Sequence, residues 1–402
     1  LFMPRLFLAA LALPVWLLTG CVTNLAPKSP PLRVSTGDSG AALEPHHRIC
    51  AAFEAEHPGL RVQVEPVSGG DYYTRLLTQL ASGQPPDVVH LGDDSLGSFV
   101  GRGCLMPLEP KNESEFLPAV LAPGVAPADG RTYLWPKDFT PLACYLNARL
   151  FREAGIALPT PDWSWEDLVQ LGRRFRDAGH VGVLVPGPRS SFLEYLAAIE
   201  GGGFLEFRGA APELAVARLQ QLYREGITPL PNELGTFDAG NQDFQQGRAA
   251  IRISGRWPLP QLRRNSRVEL VVWPPPRGSR RANMVYWAGL GIPRQCRRPA
   301  EALLYLQLAT SQRGYREWGQ WGLPALREVA ALQAQDPFEK VFLDEMTRVV
   351  PRAFQSDSSW GELGGPALQR LHEAAVLFPE KPAAELLEQQ RRRLEHEKRL
   401  RR

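Results

Sequence analysis

Apolar positions along this chain alternate between two rhythms, one of period two and one of helical period. Leu32-Arg33-Val34-Ser35 alternates and predicts a short strand ending in the polar turn Thr36-Gly37-Asp38-Ser39-Gly40. Ile49, Ala52 and Phe53 then recur at helical spacing until His57-Pro58-Gly59 stops the run. Leu60 to Val64 alternates again. Asp71 is placed to cap a helix with the stripe Tyr73, Leu76, Leu77 and Leu80, and Gly83-Gln84-Pro85-Pro86 breaks it. Asp87-Val88-Val89-His90-Leu91 is a compact buried strand. A β-α-β-α-β series of this kind predicts an α/β sheet with parallel strands.

The pattern continues without repeating. Thr132 to Pro136 and Pro141 to Leu146 read as strands around a turn. Ser164-Trp165-Glu166-Asp167 is a capping box that opens a helix through Leu168, Leu171 and Phe175. Val181 to Val185 is a strand, and Ser191 to Glu200 a helix ended by Gly201 to Gly203. A helix over Leu214 to Tyr223 follows, then strands at Ile251 to Ile253, Val268 to Trp273 and Tyr286 to Ile292. The segments after Pro299 are mostly helical. Open α/β sheets bind ligands beyond the carboxyl ends of their strands.

The N-terminus has a different character. Arg5 leads into an apolar run, Leu6 to Leu18, of about thirteen residues, short of the ~20 needed to cross a bilayer. Leu17-Leu18-Thr19-Gly20-Cys21 closes it in the manner of a lipoprotein processing site, where the cysteine becomes the acylated first residue. Initiation at Met3, or an alternative start codon read literally, accounts for Leu1. Residues 1–20 are thus expected to be a lipoprotein signal peptide, and 21–31, polar and proline-rich, an extended tether. The mature chain is expected outside the cytoplasm, lipid-anchored to a bacterial membrane.

About 370 residues remain, long for one core and natural for two lobes. Hydrophobic content of 44% and charged content of 22% are those of an ordinary globular protein, and a net charge of +3 calls for no nucleic acid. The Arg-rich end, Arg391 to Arg402, is interleaved with Glu395 and Glu397 and reads as a solvated helix. Beyond Cys21, the cysteines Cys50, Cys104, Cys144 and Cys296 fit no zinc spacing; disulfides in three connectivities and free thiols are both admissible.

No nucleophile elbow, phosphate loop or dinucleotide fingerprint is present; Gly289-Leu290-Gly291 lacks the third glycine. His46-His47 are adjacent and do not share a helix face, so no metal and no cofactor is expected. What remains is a set of aromatics and acids near strand ends. Trp135, Trp257, Tyr286, Trp287 and Trp321 offer flat faces for sugar rings, and Asp38, Asp93, Asp94 and Asp138 offer acceptors for hydroxyls. A polar ligand needs both, because its hydroxyls must be satisfied and its apolar faces covered. Singly, each Trp is as readily core filler, and each Asp a cap or turn former.

The order of motifs resembles the extracellular solute-binding proteins of carbohydrate-type ABC importers (family 1, maltose-binding-protein-like). Phe53-Glu54-Ala55-Glu56-His57-Pro58-Gly59-Leu60-Arg61-Val62 is similar to their opening block, and Leu80-Ala81-Ser82-Gly83-Gln84-Pro85-Pro86-Asp87-Val88-Val89 to the block that follows. Gly103-Cys104-Leu105-Met106-Pro107-Leu108, Leu146-Asn147-Ala148-Arg149-Leu150-Phe151, Trp163-Ser164-Trp165-Glu166-Asp167-Leu168 and Gly247-Arg248-Ala249-Ala250-Ile251…Gly255-Arg256-Trp257 continue the series. The resemblance implies two α/β lobes of the periplasmic binding protein type II kind, with the ligand in the cleft between them. It places residues 32–143 plus about 290–335 in the N-terminal lobe, and 147–287 plus about 336–402 in the C-terminal lobe. Crossings are implied near Leu142 to Leu146, near Trp287 to Gly291, and between Gln335 and Val350. It also implies that Trp257 and the Asp93-Asp94 turn face the cleft.

The function expected is that of a monomeric, lipid-anchored receptor. It captures a sugar, oligosaccharide or polyol by hinge closure and delivers it to the membrane permease of an ABC importer. No catalysis and no nucleic-acid partner is expected. The alternatives are an exported carbohydrate-active hydrolase using Asp93 or Asp94, and a scaffolding lipoprotein with a vestigial cleft.

Overall fold

The computed structural model describes residues 30–400 except 68–71, 118, 186–190, 231–238, 320, 356 and 358. Cys21, the tether up to residue 29 and the Asp71 cap lie outside the described residues. The strands in chain order are β1 (Leu32–Thr36), β2 (Val62–Pro66), β3 (Val88–Gly92), β4 (Trp135–Pro141) and β5 (Ala143–Asn147). They continue as β6 (Val181–Leu184), β7 (Ala249–Ser254), β8 (Leu270–Trp273) and β9 (Val285–Gly291).

Two sheets divide them, in the orders β2-β1-β3-β9-β4 and β6-β7-β5-β8. In the first, β1 pairs in parallel with β2 and β3, and β9 runs antiparallel between β3 and β4. The parallel part follows from its two crossover helices. Glu44–Glu56 buries Ile49, Cys50 and Phe53 on the sheet and ends where Gly59 takes a φ of 100°, and Tyr72–Ala81 buries Leu76 and Leu80. In the second sheet β5 is central, and helices cover both faces. Trp165–Asp177 starts with the expected capping box, Ser164 and Asp167 bonding reciprocally. Gly364–Leu377 and Ala383–Leu400 pack on Ala210–Arg224 to complete the second body. On the Ala383–Leu400 helix Arg391 pairs with Glu388 and Glu395, and Arg393 with Glu397. The basic run is therefore a solvated ladder of i,i+3 and i,i+4 ion pairs. Two α/β lobes result, the architecture expected.

The chain crosses between sheets at three points, and one side chain ties all three. Leu142 separates β4 from β5 and is the first. The second was expected near Trp287 to Gly291. It lies upstream at Ala282 to Met284, because residues 285–291 all pair within the first sheet. The third is the helix Pro337–Glu345 with the turn after it, which packs on both β4 and β8. Asn283, fully buried, accepts from the amides of Leu142 (3.1 Å) and Met284 (2.8 Å). Its amide donates to the Leu142 carbonyl (2.9 Å) and to Glu345 (2.9 Å). Its backbone bonds Arg348 and Val350. Beside this knot the buried pair Arg256–Glu339, bidentate at 2.6 Å, fixes the third crossing to the end of β7.

All four described cysteines are free thiols. No helix among the described residues is long and apolar enough to cross a membrane.

Candidate functional site

The register of β4 on β9 decides which side chains face the gap between the lobes. Asp138 pairs with Ala288, Phe139 with Trp287 and Thr140 with Tyr286. Alternation therefore puts Asp138, Thr140, Tyr286 and Ala288 on one face, and Phe139 and Trp287 on the other. The second face is core: Trp287 is 4% exposed and its indole donates to the Val120 carbonyl at 2.8 Å. Trp135 is likewise buried, donating to the Glu109 carbonyl at 2.9 Å with the Lys111 ammonium over its ring. Neither offers a face to a ligand, which corrects the expectation for both. Six of the nine tryptophans among the described residues are core filler of this kind.

The open face is built from both bodies. Arg256, just after β7, donates its backbone N–H to Thr140 Oγ1 at 2.9 Å, which brings Gly255 onto Thr140 and lets Trp257 project past it. Trp257 meets Tyr286 edge-to-face, with centroids 5.2 Å apart, and remains 36% exposed. Ser191, opening the helix Ser191–Ala198, donates to the Tyr286 hydroxyl at 2.9 Å. Trp321 is half-buried on a loop whose next residue, Gly322, lies so close to Asp138 that a Cβ there would come within 2.4 Å of it. Asp138, Trp257 and Tyr286 thus share this face, and the Trp321 loop packs against Asp138 through Gly322.

Asp38 joins them through a residue the sequence reading overlooked. A β-bulge between Pro136 and Asp138 re-aims Lys137. Its buried ammonium donates to Asp38 at 2.9 Å and to Asp138 at 2.6 Å, and lies 4.7 Å from the centre of the Trp318 ring. Asp38 also accepts from His46 Nε2 at 2.8 Å, and Thr36 Oγ1 bonds His90 Nδ1 at 2.9 Å. Burial raises the Asp38 carboxyl, but Lys137 and the two histidines outweigh it and hold the group well below the usual range. Burial, reinforced by Lys137, pushes His90 down to about 4. Asp38, His46 and His90 offer ligand atoms within 4.8 Å of one another. The Lys137 ammonium already takes the cation's place among them, so the donor set does not fit a metal. One cue was in the sequence: Lys137 is one of only six lysines among 46 basic residues.

Asp93 and Asp94, after β3, part company. Asp94 is exposed near the Tyr73 hydroxyl, which accepts from the Gly92 amide at 3.1 Å. Asp93 is 5% exposed, and its carboxyl lies 3.6 Å from Arg352, which also donates to Glu194 at 2.6 and 2.9 Å. Glu194 stands on Ser191–Ala198 of the second body, so Arg352 holds an acid from each. A carboxyl so enclosed is not a poised catalytic acid.

Burial, only partly offset by Arg352, pushes the Asp93 carboxyl up to about 8. The unfolded chain ionises this group near pH 4, whereas the folded protein keeps its proton. Its contribution to stability is therefore complete below pH 4 and is lost as the pH rises toward 8, by about 1.4 kcal/mol per unit. Between pH 6.5 and 8.5 the melting temperature should fall in the wild type and stay nearly level in Asp93→Asn. Parallel profiles would refute the assignment.

Comparison with known proteins bears on the family and the fold. A family model described as "Bacterial extracellular solute-binding protein" matches residues 48–340. An uncharacterized lipoprotein in the oleD 5′ region of Streptomyces antibioticus is 29% identical over 222 residues, 52% of this chain and 47% of its own length. The chain thus spans about half the length of that curated relative. An ABC substrate-binding protein from Listeria monocytogenes, solved with cycloalternan, superposes with a TM-score of 0.79 at 18% identity, covering 90% of this chain and 97% of that one. The GacH receptor of Streptomyces glaucescens, solved unliganded and with acarbose, gives 0.79 at 18% identity, covering 90% and 98%. At such identity the likeness shows the fold.

Proposed function

The chain belongs to the bacterial extracellular solute-binding proteins, and on that premise we propose that it captures a sugar, oligosaccharide or polyol by closing its lobes and hands it to the permease of an ABC importer. It is a binding protein and not an enzyme, so the hydrolase alternative is set aside. The observation that carries the reading is the Trp257–Tyr286 pair beside Asp138: a flat apolar face next to charged acceptors, contributed by both bodies. Sugar rings present that combination of apolar face and hydroxyl edge. The saccharides in the solved relatives, cycloalternan and acarbose, agree with it. Lipid attachment through Cys21 rests on the Leu-Thr-Gly-Cys stretch and on a relative named a lipoprotein. In Cys21→Ser the protein should leave the membrane fraction, and continued association would refute lipidation.

The reading is tested by melting the mature protein with maltotetraose, acarbose, tagatose and a wider panel of sugars and polyols. A ligand that binds only the folded state stabilises it by about 2.7 kcal/mol at a hundredfold excess over Kd. One panel member should raise the melting temperature; a flat panel without change in tryptophan fluorescence refutes the reading. Trp257→Ala should weaken binding by about 2 kcal/mol, some thirtyfold, with little effect on stability. Calorimetry on both proteins checks this.

A further inference from the structure

We infer that Lys137 is a positioning residue for ligand capture: its ammonium clamps Asp38 and Asp138 so that each carboxylate presents its second oxygen as a fixed acceptor to adjacent donors on the ligand. The inference rests on the cleft being the binding site. The clamp joins two segments distant in sequence, since Asp38 follows β1 and Asp138 lies in β4. Each carboxylate gives Oδ2 to the lysine, and among the described residues Oδ1 of neither is hydrogen-bonded. The lysine side chain is 5% exposed, whereas those of Asp38 and Asp138 are 23% and 17% exposed. The lysine is therefore closed to a ligand, and the accessible part of each acid lies away from it.

The arrangement has a physical logic. A carboxylate rotates freely unless its oxygens are held, and an acceptor fixed beforehand loses no freedom when a hydroxyl arrives. One ammonium between two carboxylates also leaves a net negative charge at the floor. Hydroxyls and amines are accepted there, and carboxylated or phosphorylated sugars repelled. The bulge at Lys137 is what makes the clamp: in a regular strand, neighbouring side chains would point to opposite faces. Lys137 and Asp138 instead meet at 2.6 Å.

The remaining titratable groups around the clamp are His46 on the helix Glu44–Glu56, His90 on β3, Tyr72 on Tyr72–Ala81 and Tyr315 on Gln312–Trp318. Burial lowers both histidines, His90 to about 4, and raises both tyrosines. Lys137 opposes the effect of burial on Asp38 most strongly, ahead of the two histidines.

The test compares wild type, Lys137→Met and Lys137→Arg. Maltotetraose, chitotetraose and tetragalacturonate are titrated calorimetrically at pH 7.5 and pH 5, and the histidine rings are followed by NMR without ligand. In the wild type the affinity should be level between the two pH values, with tetragalacturonate unbound. In Lys137→Met burial governs Asp38, and affinity should fall about tenfold or more on acidification, while the His90 ring titrates at higher pH than in wild type. Lys137→Arg should restore the level profile. A purely structural role would lower affinity equally at both pH values. Should Lys137→Met not fold, Lys137→Gln, which keeps donors but no charge, should show the same pH dependence. A variant that binds like wild type at both pH values, or tight binding of tetragalacturonate, overturns the inference alone. Should the wild type bind none of the three, the panel member that raises its melting temperature replaces them, and a panel without such a member overturns the receptor reading and the inference with it.

Discussion

Arg352→Met should destabilise the protein by about 3–5 kcal/mol, because it takes the guanidinium away from two buried acids. Arg352, Asp93 and Glu194 have side chains 9%, 4% and 8% exposed. Glu194 loses two charge-assisted hydrogen bonds in the variant, at 2.6 and 2.9 Å. Asp93, which keeps its proton at neutral pH, loses the positive charge that partly offsets its burial. Replacement of the whole triad by apolar groups would cost far less, since the penalty comes from the acids left behind. Hence Arg352→Met combined with Glu194→Gln should recover part of the loss, as read by denaturant unfolding. Single and double variants of equal stability would contradict the account.

Asn283→Leu should be comparably damaging, at about 3 kcal/mol or more. It orphans the Leu142 amide and carbonyl and one bond to Glu345, all in the interior, at about 1–3 kcal/mol for each unsatisfied group. Leucine keeps the branched outline of asparagine but is larger, so crowding in this buried site adds to the loss. Asn283→Asp keeps the acceptor but places a second carboxyl against Glu345, whose own carboxyl is already raised by burial. That variant should therefore be no better than leucine at neutral pH, and should recover on acidification as the new acid takes a proton. Thermal unfolding at pH 7.5 and pH 5 checks both. An Asn283→Leu protein within 1 kcal/mol of wild type would show that the three crossings are held by something else.

The parts of this fold written in local pattern were legible. β1 to β3 and their helices follow from alternation and helical spacing, and the Ser164 cap from four consecutive residues. The site was legible only in part, for an equally physical reason. Tyr286 and Trp287 are adjacent in a strand, so one must face the cleft and the other the core. Composition does not say which; the register of β9 on β4 does. Trp135 had the same ambiguity and fell on the buried side. Lys137 was missed because its role depends on a bulge and on Asp38, a hundred residues upstream in round terms. Arg352 was missed because the acids it holds lie one in each lobe and far off in sequence, Glu194 being 158 positions away. The second crossing was misplaced by a few residues, because a chain leaving one sheet and entering another keeps the same extended pattern throughout.

The most direct test of the receptor reading is a crystal structure grown with the saccharide that gives the largest thermal shift. The account predicts ligand between the two bodies, packed on Trp257 and Tyr286 with hydroxyls on Asp138 and Asp38. Ligand bound anywhere else, with that face left open, would contradict it.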